Sequence, residues 1–267
     1  MKNKEPKTVF YCDEINDDFA GNNIKTKKIP NNYRYINNSV LFKISSFLLR
    51  YLFAIPVLWL VNLLVFRPKV MNKKLLKQLK KKGYYVYANH VLPFDPIVLP
   101  IKTQVRKNMV IIAGPDLFSI NGLVSWLVRH FFAIPTPNQD SEMIENFCNC
   151  LSWNIKKKRR VLIYPEAHIW PYYNGIRNFK SVSFKYPVTD NAPVVVATTT
   201  FKKRKGNRKP KPIIYLDGPF YPDTSLSVHE QVTDLRDRVF DAMKWRAGQE
   251  GNYAYINYVK KEPDAKE

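Results

Sequence analysis

The sequence is short of cysteine and of acidic charge, and each shortage excludes something. Only three of its 267 residues are cysteine: Cys12, Cys148 and Cys150. An odd number with a C-x-C spacing fits neither a disulfide framework nor a zinc site, so a reducing, cytoplasmic setting is expected. The first 38 residues are polar and rich in asparagine, without the apolar core of a signal peptide. Asp and Glu number 22 against 43 Lys and Arg, a formal net charge of +21. Such a surplus attracts polyanions: nucleic acid, an anionic lipid surface or phosphorylated substrates. The basic residues cluster in 73–82, 156–160 and 202–211, which argues against mere compositional bias. No RNP block or other nucleic-acid signature accompanies them, so nucleic acid is the disfavoured partner. There is no internal repeat. Hydrophobic residues at 45% and charged residues at 24% exclude a disordered chain. A mean hydropathy of −0.33 excludes a polytopic membrane protein.

Four segments follow from the patterning. Residues 1–38 form a polar N-terminal arm, 39–83 a membrane-associating part, 84–250 the main domain and 251–267 a charged tail. The run from Phe47 to Phe66 holds one charge, Arg50, and one proline, Pro56. Its uncharged stretch, Tyr51 to Phe66, falls short of the ~20 residues that cross a bilayer. The expectation is one or two short helices kinked near Pro56 that dip into a leaflet, with a single span as the alternative. In 71–82, Met71, Leu75, Leu76 and Leu79 share one helical face and lysines fill the rest. That pattern predicts an interfacial helix on anionic lipid.

From Tyr84 onward, strand and helix patterns alternate. Strands are predicted over 84–88, 109–113, 131–135, 161–164, 193–199 and 212–216. A helix over 141–157 carries the stripe Met143, Phe147, Leu151 and Ile155. A second over 228–246 carries Val232, Leu235, Val239 and Met243, opened by a capping box of Ser227 and Glu230. The alternation predicts an α/β fold, a largely parallel or mixed sheet flanked by helices, preceded by the apolar N-terminal helical segment.

Two loops carry candidate chemistry. In YYVYANHVLPFDP a strand runs into Asn89-His90, and Asp95-Pro96 follows across a tight turn. Sites in open α/β sheets form at the carboxyl ends of strands, where His90 falls. A neutral imidazole can take a proton at pH 7 when its other nitrogen is held, and Asp95 can accept the Nδ1 hydrogen. The same residues also fit a helix N-cap with proline at the first position. No G-x-S-x-G accompanies the pair. Any nucleophile must then come from the substrate, as a hydroxyl does. The second loop, VLIYPEAHIWPYYNGIRNFK, presents Glu166, His168, Arg177 and Lys180, a set that suits a phosphate or carboxylate site.

Together these segments resemble the lysophosphatidate (1-acyl-glycerol-3-phosphate) acyltransferase family. Its N-H-x4-D motif is matched by Asn89 through Asp95, and its F-P-E-G-[ST]-R motif corresponds to Tyr164-Pro165-Glu166-Ala167-His168-Ile169. Its middle block is similar to Leu117-Phe118 through Phe132-Ala133-Ile134-Pro135, and its last strand to Ala192 through Val196. The third motif diverges: Ala167 stands for glycine, His168 for Ser/Thr and Ile169 for the arginine assigned to the acceptor phosphate. The resemblance implies an O-acyltransferase on the cytoplasmic face of the cell membrane. Acyl-CoA or acyl carrier protein would be the donor, a lysophospholipid the acceptor, and anionic membrane lipid a partner, with no metal or cofactor. His90 and Asp95 would be catalytic. Glu166, His168, Arg177 and Lys180 would bind substrate, with Arg177, ahead of Lys180 or His168, in place of the missing arginine. An acceptor without phosphate, and a non-enzymatic protein that binds anionic surfaces or nucleic acid, remain the alternatives.

Overall fold

The computed structural model describes residues 6–21, 24–92, 95–103, 109–120, 122–131, 133–206 and 208–261. Among them β1 (Lys7–Tyr11) and β9 (Ile256–Lys260) pair in parallel as a small separate sheet. The main sheet contains β2 (Lys69–Met71), β3 (Tyr84–Ala88), β4 (Met109–Ala113), β5 (Ala133–Pro135), β6 (Arg160–Ile163), β7 (Val194–Lys202) and β8 (Lys211–Phe220). Their order is β2-β8-β7-β3-β6-β4-β5. Strands β7, β3, β6, β4 and β5 run parallel; β8 turns back antiparallel to β7, and β2 runs along β8. The α/β expectation holds, with a mixed sheet.

All five residues of β3 are buried, as a central parallel strand requires when both faces are covered. Tyr85 and Tyr87 look to one face, where Val161, Ile163, Val194 and Val196 join them. Phe147 and Leu151 of the helix Ser141–Lys156 cover that face together with Val232, Leu235, Val239 and Met243 of the helix Val228–Ala247. Tyr84, Val86 and Ala88 look to the other face, packed with Leu162, Val195, Val98 and Leu99. Both long helices start where the sequence says. Asp140 accepts from the Met143 amide at 2.9 Å. The Ser227–Glu230 capping box is formed in both directions.

Two expectations need correction. Residues 71–82 do not form an interfacial helix. Met71 closes β2, Asn72 takes a left-handed conformation (φ 58°) that interrupts any helix, and a 3-10 turn follows over Lys73–Lys77. Leu76 and Leu79 are buried in the main core, so the stripe marks a protein-facing side rather than a lipid-facing one. The polar arm and the charged tail, read without strands, each supply one: β1 pairs with β9 across nearly the whole chain.

The apolar run forms one continuous helix, Val40–Phe66, of 27 residues. At 1.5 Å per residue this is about 40 Å. It is long and apolar enough to cross a membrane by length and composition. Pro56 does not break it, because the turns widen to π-helical over Leu49–Ala54 just before the proline. Widened turns remove the bond that proline cannot donate. The helix touches the body near both ends. The Phe42 ring lies 4.6 Å from that of His130, and Arg50 donates to the His130 carbonyl at 2.9 Å. Arg204 donates to the Phe66 carbonyl at 2.8 Å. Leu41, Leu52, Phe53, Val57, Leu64 and Val65 are exposed.

Candidate active site

The loop after β3 is fixed from its first residue. The Asn89 carboxamide donates to the Thr199 carbonyl at 3.0 Å and accepts from the Thr199 amide at 2.8 Å, tying the end of β3 to β7. His90 comes next. Asp95 opens the helix Asp95–Thr103, and its Oδ2 accepts from the Val91 and Leu92 amides at 2.8 and 2.7 Å. The same oxygen faces His90 Nδ1 at 3.4 Å. One carboxylate thus serves both as the loop's cap and as the partner of the ring. The contact is long for a hydrogen bond, as base–carboxylate contacts are before substrate tightens the site. The Tyr164 ring stacks on the imidazole, with centroids 4.2 Å apart and planes at 20°. Nε2 makes no hydrogen bond among the described residues, and His90 is 9% exposed. The described structure bonds no serine, threonine or cysteine side chain to the ring; the buried Cys150 thiol meets the Tyr35 carbonyl instead.

A second carboxylate supports the loop from below. Glu166, just beyond β6, is buried; its Oε2 accepts from the His90 amide at 3.0 Å and its Oε1 from the Arg177 amide at 3.0 Å. The Arg177 guanidinium lies 3.5 Å from Oε2 and also donates to the carbonyls of His168 and Glu14, the latter at 3.3 Å. It sits over the Trp170 ring at 5.0 Å. Burial pushes the Glu166 carboxyl above the usual carboxylate range, opposed by Arg177 and the two amides. Burial likewise pushes Arg177 down, opposed by Glu166. The two loops are laced together where the Trp170 amide donates to the His90 carbonyl at 3.2 Å and that of Tyr172 to the Val91 carbonyl at 2.7 Å.

The structure therefore gathers His90, Asp95 and Glu166, with Arg177 behind them. Arg177 is fully buried, and its guanidinium pairs with Glu166. His168 Nδ1 lies 3.8 Å from Asp18 on the N-terminal arm, and Lys180 is exposed and bonded to none of these groups. Pro93 and Phe94 of the catalytic loop lie outside the described residues, as does Phe132 of the middle block. Sequence reasoning missed the Tyr164 stack, although that aromatic stands in the third motif, and missed Asn89 as a pin.

With this geometry in view, the comparisons acquire meaning. Residues 67–199 match the family described as Acyltransferase. The chain belongs to the acyltransferase family. The matched region begins where the apolar helix ends and holds every residue of the site. This acyltransferase also resembles in fold the crystal structure of the 1-acyl-sn-glycerophosphate (LPA) acyltransferase, PlsC, from Thermotoga maritima. The TM-score is 0.55 at 18% identity, over 78% of this chain and 88% of that one. Curated protein sequences give no significant match.

The divergent third motif of this acyltransferase has a backbone consequence. Ala167, where the family's motif has glycine, sits at φ 61°. A Cβ is disfavoured in that left-handed region. Ala167→Gly is expected to raise the unfolding free energy by roughly 0.5–1 kcal/mol in urea titrations. A drop would show that the methyl group packs usefully there. Ile169, at the arginine position, is bound through its backbone to the arm: its amide donates to Asp18 at 3.2 Å and its carbonyl accepts from Phe19 at 3.0 Å.

Proposed function

We propose that this acyltransferase moves a fatty acyl group from an acyl thioester, on coenzyme A or acyl carrier protein, to the free hydroxyl of a lysophospholipid. The foremost acceptor is 1-acyl-glycerol-3-phosphate, giving phosphatidate. The observation that carries the reading is the His90–Asp95 pair at 3.4 Å, at the carboxyl end of β3, with no nucleophilic side chain bonded to the ring among the described residues. Asp95 holds the Nδ1 hydrogen, so Nε2 is the basic nitrogen. Nε2 takes the proton of the acceptor hydroxyl while its oxygen attacks the thioester carbonyl. Collapse of the tetrahedral intermediate breaks the carbon–sulfur bond, and the imidazolium returns the proton to the leaving thiolate. The charge of Asp95 stabilises that imidazolium. A thioester is already activated, so the residues present suffice without a covalent enzyme intermediate.

The apolar helix supports a membrane setting. It meets the body near both ends and its apolar residues between are exposed, which suits a dip into one leaflet, with a single span as the alternative. The site would then work where a lysolipid lies. A second reading, an acceptor without phosphate, is favoured by Ile169 and by the burial of Arg177. The test is acyl transfer by the purified protein in detergent, from both thioesters, to lysophosphatidate, to other lysolipids and to amino-lipid acceptors. Preference for lysophosphatidate is expected. Preference for an acceptor without phosphate would establish the second reading, and transfer to none would overturn both.

A further inference from the structure

Ile169 stands at the arginine position and Arg177 is buried against Glu166, while the basic residues Arg204 and Lys209 of the segment 202–211 lie close to the catalytic loops. A cavity of about 190 Å³ opens between this segment and the end of the apolar helix. That is several times the ~30 Å³ of one water in the liquid. Two of its walls come from the catalytic loops. Leu92 lines it, and the Leu92 amide is held by Asp95. Tyr172 lines it, and the Tyr172 amide holds the Val91 carbonyl. Val65 and Phe66, the last residues of the helix, make a third wall, with Pro210 and Pro212 beside them. Arg204 and Lys209 supply its charge, and no acidic side chain lines it. Arg204 is anchored on the Phe66 carbonyl at 2.8 Å, and the Lys209 ammonium lies 5.8 Å from the Tyr172 ring centroid.

We propose that Arg204 and Lys209 form the binding site for a phosphate monoester carried on an apolar chain. The inference rests on the acyltransferase reading above and names the anion-binding part of that site. Arginine presents several donors in a fixed fork that suits phosphate oxygens, and lysine adds a point charge. The apolar walls continue from the helix that would lie in the leaflet, so a lipid can enter headgroup first while its chain stays against Val65 and Phe66.

A short-chain lysophosphatidate is titrated calorimetrically into the full-length protein in detergent. Arg204→Gln and Lys209→Gln are compared with Lys205→Gln and Arg208→Gln, which remove the same charge from the same segment outside the cavity. Each pocket substitution is expected to weaken binding about ten-fold, the usual effect of losing one charge-assisted contact. The two outer substitutions are expected to leave it within about two-fold. Lys209 makes no hydrogen bond to the helix, so its variant is free of any effect on the Phe66 anchor. In steady-state assays the two pocket variants are expected to raise KM for the acceptor and to leave KM for the donor unchanged; a rise for the donor alone overturns the assignment. Unchanged binding in both pocket variants, or equal weakening by the outer ones, overturns the proposal. The binding arm needs no turnover. Binding without acyl transfer would sink the catalytic reading and leave the pocket standing; transfer with indifferent pocket variants would do the reverse.

Discussion

Replacing His90 with alanine is expected to lower kcat by about 10³-fold while the protein stays folded. The factor is that of a removed general base, about 4 kcal/mol of barrier at 1.36 kcal/mol per decade. The loop does not depend on the ring for its shape. The His90 amide is held by Glu166 at 3.0 Å, its carbonyl by the Trp170 amide at 3.2 Å, and Asp95 caps Val91 and Leu92 directly. Melting within a few degrees of the parent should therefore accompany the loss. Asp95→Asn is the informative companion. One oxygen of Asp95 serves both amides and the ring, so an asparagine oxygen in its place keeps the loop and loses the charge that steadies the imidazolium. Its rate should fall, by less than that of His90→Ala, with KM for the acceptor little changed. A His90→Ala enzyme that turns over as fast as the parent would remove the base from the mechanism.

Local pattern carried most of the fold. The β3 and β4 strands stand where runs of apolar residues between turn signals placed them, and the helix Val228–Ala247 starts at its capping box. Those signals act over a few residues. What escaped was non-local or ambiguous in period. No residue of Lys7–Tyr11 reveals that its partner is Ile256–Lys260, because a parallel pair distant in sequence leaves no local trace. The stripe of Leu75, Leu76 and Leu79 has helical spacing, but spacing does not say whether the apolar side meets lipid or a sheet. Here Asn72 stops the helix and the sheet receives the leucines. The site followed the same rule. His90 and Asp95 were legible because both sides of their contact lie in one short loop. The surroundings of Arg177 were not legible, because residue type cannot tell a guanidinium aimed at solvent from one buried against Glu166, with the Glu14 carbonyl of the N-terminal arm also in reach. Tyr164 and Arg204 share the difficulty, since their partners come from other loops.

The sealed pair of Glu166 and Arg177 gives the largest stability effect. Glu166→Gln is expected to destabilise the protein by about 3 kcal/mol in urea unfolding, the scale of breaking a buried pair from one side. The substitution keeps volume and shape, so packing is not the cause. Both carboxylate oxygens accept from backbone amides, Oε2 from His90 and Oε1 from Arg177, each at 3.0 Å. A carboxamide has one oxygen. Whichever way it is turned, its NH2 meets an amide N–H, and a buried donor faces a donor. Arg177 is left at the same time without its countercharge, and its Nε already lacks a partner. Against a typical total of about 5–15 kcal/mol, the loss is large. If the cost comes from the uncompensated guanidinium, then adding Arg177→Gln to Glu166→Gln should recover a good part of it, since removing both charges is far milder than removing one. If it comes from the His90 amide, the double variant will recover little, and activity will fall further than stability, because that amide sets where the imidazole stands. Unfolding of Glu166→Gln indistinguishable from the parent would show that neither the two amides nor Arg177 depends on the carboxylate, and that Arg177 leans on the carbonyls of His168 and Glu14 instead.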